Sequence, residues 1–179
     1  MNIAAEIART GSKASTDRIT GFIGKNQNRF NSLMKALFLG PYRMTQRAAN
    51  PAFICVQHYP TFIDPWMKPI IRELCSPEIP LSMKRNLLRI LQFATIPPRY
   101  QGVVIDLAMG YLQDTKETIA VRVYAMTVLE HLSRQVPELK NELKVILEDH
   151  LPYGSAGFRS RGMKILNRLK ALHSKTKST

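Results

Sequence analysis

The stretch "AVRVYAMTVLEHL", residues 120–132, decides the fold. Within it Val121, Ala125, Val128, Leu129 and Leu132 fall at i, i+4, i+7, i+8 and i+11, the spacing that lines one face of an α-helix. The same offsets moved back 38 residues give Met83, Leu87, Ile90, Leu91 and Ala94. A further 38 back they give Thr45, Ala49, Ala52, Phe53 and Val56, and 37 forward Phe158, Gly162, Ile165, Leu166 and Leu169. One helical stripe therefore occurs four times.

The punctuation recurs with the stripe. Pro60, Pro98 and Pro137 follow these helices at steps of 38 and 39. Proline suits the first turn of a helix, where its missing N–H has no intrahelical partner to lose. Each proline thus ends one helix and opens a second: "PTFIDPWMKPIIRELC", "PRYQGVVIDLAMGYLQD" and "PELKNELKVILEDHL". In the last of these, Leu139, Leu143 and Ile146 again fall at i, i+4 and i+7. Nothing alternates in the manner of a strand. A two-helix unit repeating every 37–38 residues is the signature of a helical solenoid, whose hairpins bury their apolar faces on one another.

Over roughly residues 43–173 the chain resembles the HEAT family, with armadillo repeats its nearest relatives in kind. The resemblance rests on the stripe and on the basic residue after its first position, Arg122 in "AVRVYAMTVLEHL" and Arg159 in "GFRSRGMKILNRL". It implies an all-α, right-handed α-α superhelix of three to five helical hairpins in a single domain, 1–179. Pro51 falls inside a first helix, and kinked first helices are common in that family. Expected bounds are a leading partial repeat at about 17–40, repeats at about 43–75, 81–114 and 117–150, and a terminal helix at about 155–173. Phe30, Leu33, Met34 and Leu37 mark the helix of the partial repeat, with Gly40 as its C-cap. Residues 1–14 and the tail "HSKTKST" read as frayed ends.

Short bacterial HEAT-like chains of this appearance sometimes carry the label adenylosuccinate lyase, and Lys84-Arg85-Asn86 contains the Lys-x-Asn step of that superfamily's signature loop. The rest of the signature fails. Pro77, Glu78 and Leu81 stand where glycine, serine and methionine belong, and Met83 and Leu87 are stripe positions of a helix. A resemblance to HEAT-like alkylation-repair glycosylases would need a carboxylate and aromatic faces on the second helices, which line the concave face in such solenoids. Asp64, Trp66, Tyr100 and Asp106 form that speculative pocket, with Tyr111 beyond them. Those helices are not basic, however: Lys68 and Arg72 are offset by Asp64 and Glu73. Phosphate neutralisation dominates DNA affinity, so this reading is weak.

The formal net charge of +13 is uneven. Residues 1–50 carry eight basic and two acidic groups, residues 151–179 seven basic and none acidic, and residues 101–150 five basic against eight acidic. A candidate basic contact surface on the first helices comprises Lys84, Arg85, Arg89, Arg159, Arg161, Lys164 and Arg168, whose stems can also cover apolar surface or pair with a neighbouring repeat. His58, His131, His150 and His173 lack metal-ligand spacing, and Cys55 and Cys75 read as buried structural thiols. No metal, cofactor or small-molecule substrate is expected.

The opening residues lack the charged and apolar regions of a secretory signal, and no run of 18 apolar residues is present, so a cytoplasmic protein without a membrane span is expected. The functional expectation is a non-catalytic module that binds or scaffolds a macromolecular partner, more readily protein than nucleic acid. The alternative is nucleic-acid binding through the basic first helices and termini.

Overall fold

Three side-chain caps set the register of the first helices in a computed structural model that describes the backbone of residues 1–176 and the side chains of residues 1–170. Asn2, Ser12 and Asn26 accept from the N–H groups of Ala5, Ser15 and Arg29 at 3.0–3.2 Å. They start α1 (Ile3–Arg9), α2 (Lys13–Ile23) and α3 (Gln27–Leu39). α4 (Tyr42–His58), a 3-10 helix (Pro60–Trp66), α5 (Met67–Leu74) and α6 (Leu81–Leu91) follow. Then come α7 (Pro98–Gln113), α8 (Ile119–Leu132), α9 (Leu139–His150), a 3-10 turn (Leu151–Tyr153) and α10 (Ala156–Thr176). The described residues contain no strand.

The chain divides into two compact units, Met1–Pro97 and the residues from Pro98 onward, a division that falls between α6 and α7. In the first, α3 and α4 form an antiparallel hairpin against which α1 and α2 pack, and α6 lies against α4. Phe30, Leu33, Met34 and Leu37 of α3 are fully buried, as are the small residues Ala48 and Ala52 of α4. Gly40 closes α3, its N–H bonded to the Ala36 carbonyl at 3.2 Å. A Cβ there would come within 2.5 Å of that same carbonyl oxygen, so the close approach requires glycine. In the second unit, α8 packs on α7, α9 and α10, and α9 on α10. All four copies of the stripe are buried apart from Thr45, Phe53 and Met83, which are partly exposed.

Three local expectations are corrected. Residues 1–14 are not frayed: α1 buries Ile3 and Ile7, and Arg47 of α4 donates to the last carbonyls of that helix, Ile7 at 3.2 Å and Ala8 at 2.7 Å. The segment Pro60–Cys75 is not one α-helix. Pro65 and Pro69 cannot both sit inside one ladder, so residues 60–66 take i→i+3 bonding and Pro69 falls in the first turn of α5, where no donor is needed. α4, by contrast, runs through Pro51 as one helix. At the other end α10 reaches Thr176, so the frayed-end expectation for His173–Thr179 is replaced by helix as far as 176, and its last three residues lie outside the described residues.

Glu6 ties α1 to α2. It accepts from Arg9 at 3.1 Å, from Arg18 Nε at 3.1 Å and from Ser15 Oγ at 3.0 Å. Chiefly through Arg18, then Arg9, these bonds pull its carboxyl down from 4.5 to about 2. Because the folded-state value is the lower one, this contribution is complete above pH 4.5 and disappears as the pH falls towards 2. Wild type and Glu6→Gln, compared by urea denaturation at a series of pH values, are therefore expected to differ most at neutral pH and to converge by about pH 2. A gap independent of pH across that range would show that the carboxylate plays no such part.

Candidate functional site

The seven candidate basic residues meet different fates. On α6, Arg89 lies over the Phe53 ring, 4.0 Å from its centroid, and donates to Asn50 Oδ1 at 3.2 Å. Lys84 is half-buried and Arg85 exposed. On α10, Arg161 donates to Thr127 Oγ1 at 3.3 Å, and Arg168 grips Glu130 with two bonds, at 2.5 and 2.8 Å. That grip pushes the Arg168 guanidinium pKa further up against the opposing effect of burial. Arg159 and Lys164 are exposed. Three of the seven thus fasten one repeat to the preceding one, while Arg85, Arg159 and Lys164 face solvent.

The repeat equivalence of Arg122 and Arg159 does not extend to their partners. Arg122 donates from Nε to the Leu112 carbonyl at 2.9 Å and from Nη2 to His150 Nδ1 at 2.9 Å, and it covers the Phe158 ring at 4.5 Å. Burial pushes its pKa down, with Asp114 opposing. Arg159, immediately after Phe158, points outward. The outer face of α10 between residues 156 and 170 consequently presents Arg159, Met163, Lys164 and Lys170 with no acidic residue on the helix. Met163 is half exposed.

The speculative pocket residues divide between the units. Asp64 and Trp66 belong to the 3-10 helix of the first, Tyr100 and Asp106 to α7 in the second. Asp106 is exposed, and Tyr100 is half-buried under the guanidinium of Arg99 at 4.8 Å. Trp66 lines a surface cleft of about 440 Å³ whose other walls are Asn28, Asn31, Ser32 and Lys35 of α3 together with Pro65 and Pro69. Its ring stacks on Phe38 with centroids 5.6 Å apart, and Nε1 donates to Asn31 Oδ1 at 2.9 Å. Gln27 bonds the same Asn31 oxygen at 3.0 Å and the Phe62 carbonyl at 2.9 Å. The α3 wall was missed in the sequence, where only its buried stripe was read; its polar face carries no motif that announces a cleft.

Other chemistry is sparse. Cys55 is buried, and desolvation pushes its thiol up to about 12, which removes it as a nucleophile. Cys75 was expected to be buried but is exposed, because α5 ends at Leu74 and leaves it at the mouth of a loop. His131 is held below its ordinary value by burial, then by Arg134, against Glu130. Among the described residues no group of three or more His, Cys, Asp or Glu side chains is placed to hold a metal ion. No described helix is long and apolar enough to cross a membrane. Asn86, the last residue of the Lys-x-Asn step, is buried within α6.

Antiparallel helical hairpins, an apolar stripe recurring at one period, and arginines that bridge equivalent helices define a helical-repeat protein. The family model described as a HEAT repeat domain matches residues 3–169. The chain belongs to the HEAT repeat family. No curated protein and no solved structure matches it.

Proposed function

We propose that the protein is a non-catalytic HEAT binding module that engages an acidic protein partner through the outer face of α10. The observation that carries this reading is the composition of that face: Arg159, Lys164 and Lys170 exposed around the half-exposed Met163, with no acid on the helix. Arginine and methionine are enriched where protein surfaces meet, and a cationic rim gives orientation and on-rate. Phe158, the one aromatic side chain of residues 156–170, is buried, so this face offers the bases of a nucleic acid no ring to stack on. Arg161 and Arg168 are committed to Thr127 and Glu130 and are excluded from the contact.

The test is capture from an extract of the native cell by the immobilised chain and by the double variant Arg159→Glu/Lys164→Glu. At least ten-fold loss of the captured protein is expected, with an unchanged thermal midpoint because both residues are exposed. Capture that survives the reversal would remove α10 as the contact. Capture abolished by nuclease would transfer the reading to nucleic acid.

A further inference from the structure

A second site lies elsewhere in the molecule and does not depend on α10. Pro65 and Pro69 hold residues 60–66 in a 3-10 helix that sets Trp66 against α3, and several side chains keep it there. Phe38 supports the indole from one side, and Asn31 engages its N–H. Gln27 fixes Asn31 in turn. With its N–H already bonded, the indole can offer a ligand only ring surface, so it acts by stacking rather than by hydrogen bonding.

The opposite wall supplies the charge. Asn28, Ser32 and Lys35 fall at i, i+4 and i+7 on one face of α3, all three exposed. No carboxylate lines the cleft. A neutral sugar would want an acidic acceptor beside the aromatic face, and a cationic ligand would be repelled by Lys35. An aromatic ring joined to an anion satisfies both walls, and about 440 Å³ is ample for one such unit.

The cleft also continues. Ser32 is shared with a neighbouring cleft of about 430 Å³ lined by Met1, Asn2, Ile3, Ala4, Phe22 and Arg29. Arg29 is held there over the Phe22 ring at 4.1 Å, with Nη1 donating to the Phe22 carbonyl at 2.7 Å. Lys35 and Arg29 are six residues apart on α3, roughly 9 Å along the helix axis at 1.5 Å per residue. Two adjoining clefts, each with an aromatic ring and a cation, suit a chain of nucleotides better than a single one.

We infer that this groove along α3 binds single-stranded nucleic acid, one base stacking on Trp66 while Lys35 and Arg29 contact successive parts of the phosphate backbone. Stacking of this sort tolerates any base, so sequence preference is weak.

Trp66 is the single tryptophan of the chain, so its fluorescence reports the site directly. A short oligothymidylate is expected to quench it saturably. The affinity should fall with salt at a log–log slope of about −1.4, from about −0.7 for each of two phosphates neutralised. Thymidine monophosphate should bind at least ten-fold more weakly because it reaches only one cleft. Lys35→Gln should weaken the oligonucleotide about five-fold and halve the slope. With a dye-labelled oligonucleotide read by anisotropy, Trp66→Ala should cost roughly ten-fold or more. Should Trp66→Ala fail to fold, the exposed Lys35 position still decides the matter. Absence of quenching would overturn the inference. So would equal affinity for the monophosphate, or quenching by a polyglutamate peptide but not by the oligonucleotide.

Discussion

Replacing Phe158 by alanine is expected to lower the unfolding free energy by about 3–5 kcal/mol, among the largest effects of any single substitution in this chain. Phe158 is 1 % exposed at the start of α10. Its ring is covered by Arg122 and lies so close to Gly154 that a Cβ there would approach Phe158 Cδ1 to 2.6 Å. The surroundings are therefore shaped to the ring and have little freedom to collapse into the space it would leave. Arg122 would also lose the aromatic face beneath it, although its bonds to Leu112 and His150 remain.

Urea unfolding followed by far-UV circular dichroism should show a lower midpoint at unchanged m-value. Fluorescence is the wrong probe here, because Trp66 lies in the first unit. Val145→Ala, at a residue 65 % exposed, should stay within about 0.5 kcal/mol of wild type. A cost for Phe158→Ala below about 1.5 kcal/mol would mean that the start of α10 closes no core.

That contrast shows what was legible in the sequence. Burial follows from period alone, and Val121, Ala125, Val128, Leu129 and Leu132 are all fully buried where the stripe puts them. A recurring stripe also carries the architecture, since hairpins of one period can bury their faces only against one another. Two kinds of feature were not legible. α1 has too few residues for a periodic signal, and it is secured by distant partners, Arg18 and Arg47. The α3 face beside Trp66 consists of ordinary polar residues until the 3-10 helix, made necessary by Pro65 and Pro69, brings an aromatic ring against it. Of the four residues grouped from helix position, Asp64 and Trp66 fall in the first unit and Tyr100 and Asp106 in the second.

Arg168→Ala is expected to cost about 1.5–3 kcal/mol, more than Glu130→Gln at about 0.5–1.5 kcal/mol, although both remove the same ion pair. The asymmetry comes from exposure. The Glu130 side chain is 9 % exposed and the Arg168 side chain 49 %. Removing the arginine leaves a carboxylate in a poorly solvated position, whereas removing the charge on Glu130 leaves a guanidinium that water can take over. The range for Arg168→Ala sits below the usual 3–5 kcal/mol of a fully buried pair because half of the arginine is already screened by solvent.

The double variant should be less destabilised than the sum of the single ones by about 1 kcal/mol, since the second change no longer breaks anything. Equal single costs and strict additivity would show that the two residues are near without being coupled. The same asymmetry separates structure from recognition on α10. Arg168 stands 38 residues after Glu130, one repeat further along, so its loss should act through stability. Arg159 and Lys164 are exposed, so their reversal should leave stability unchanged and act only on the contact proposed for α10.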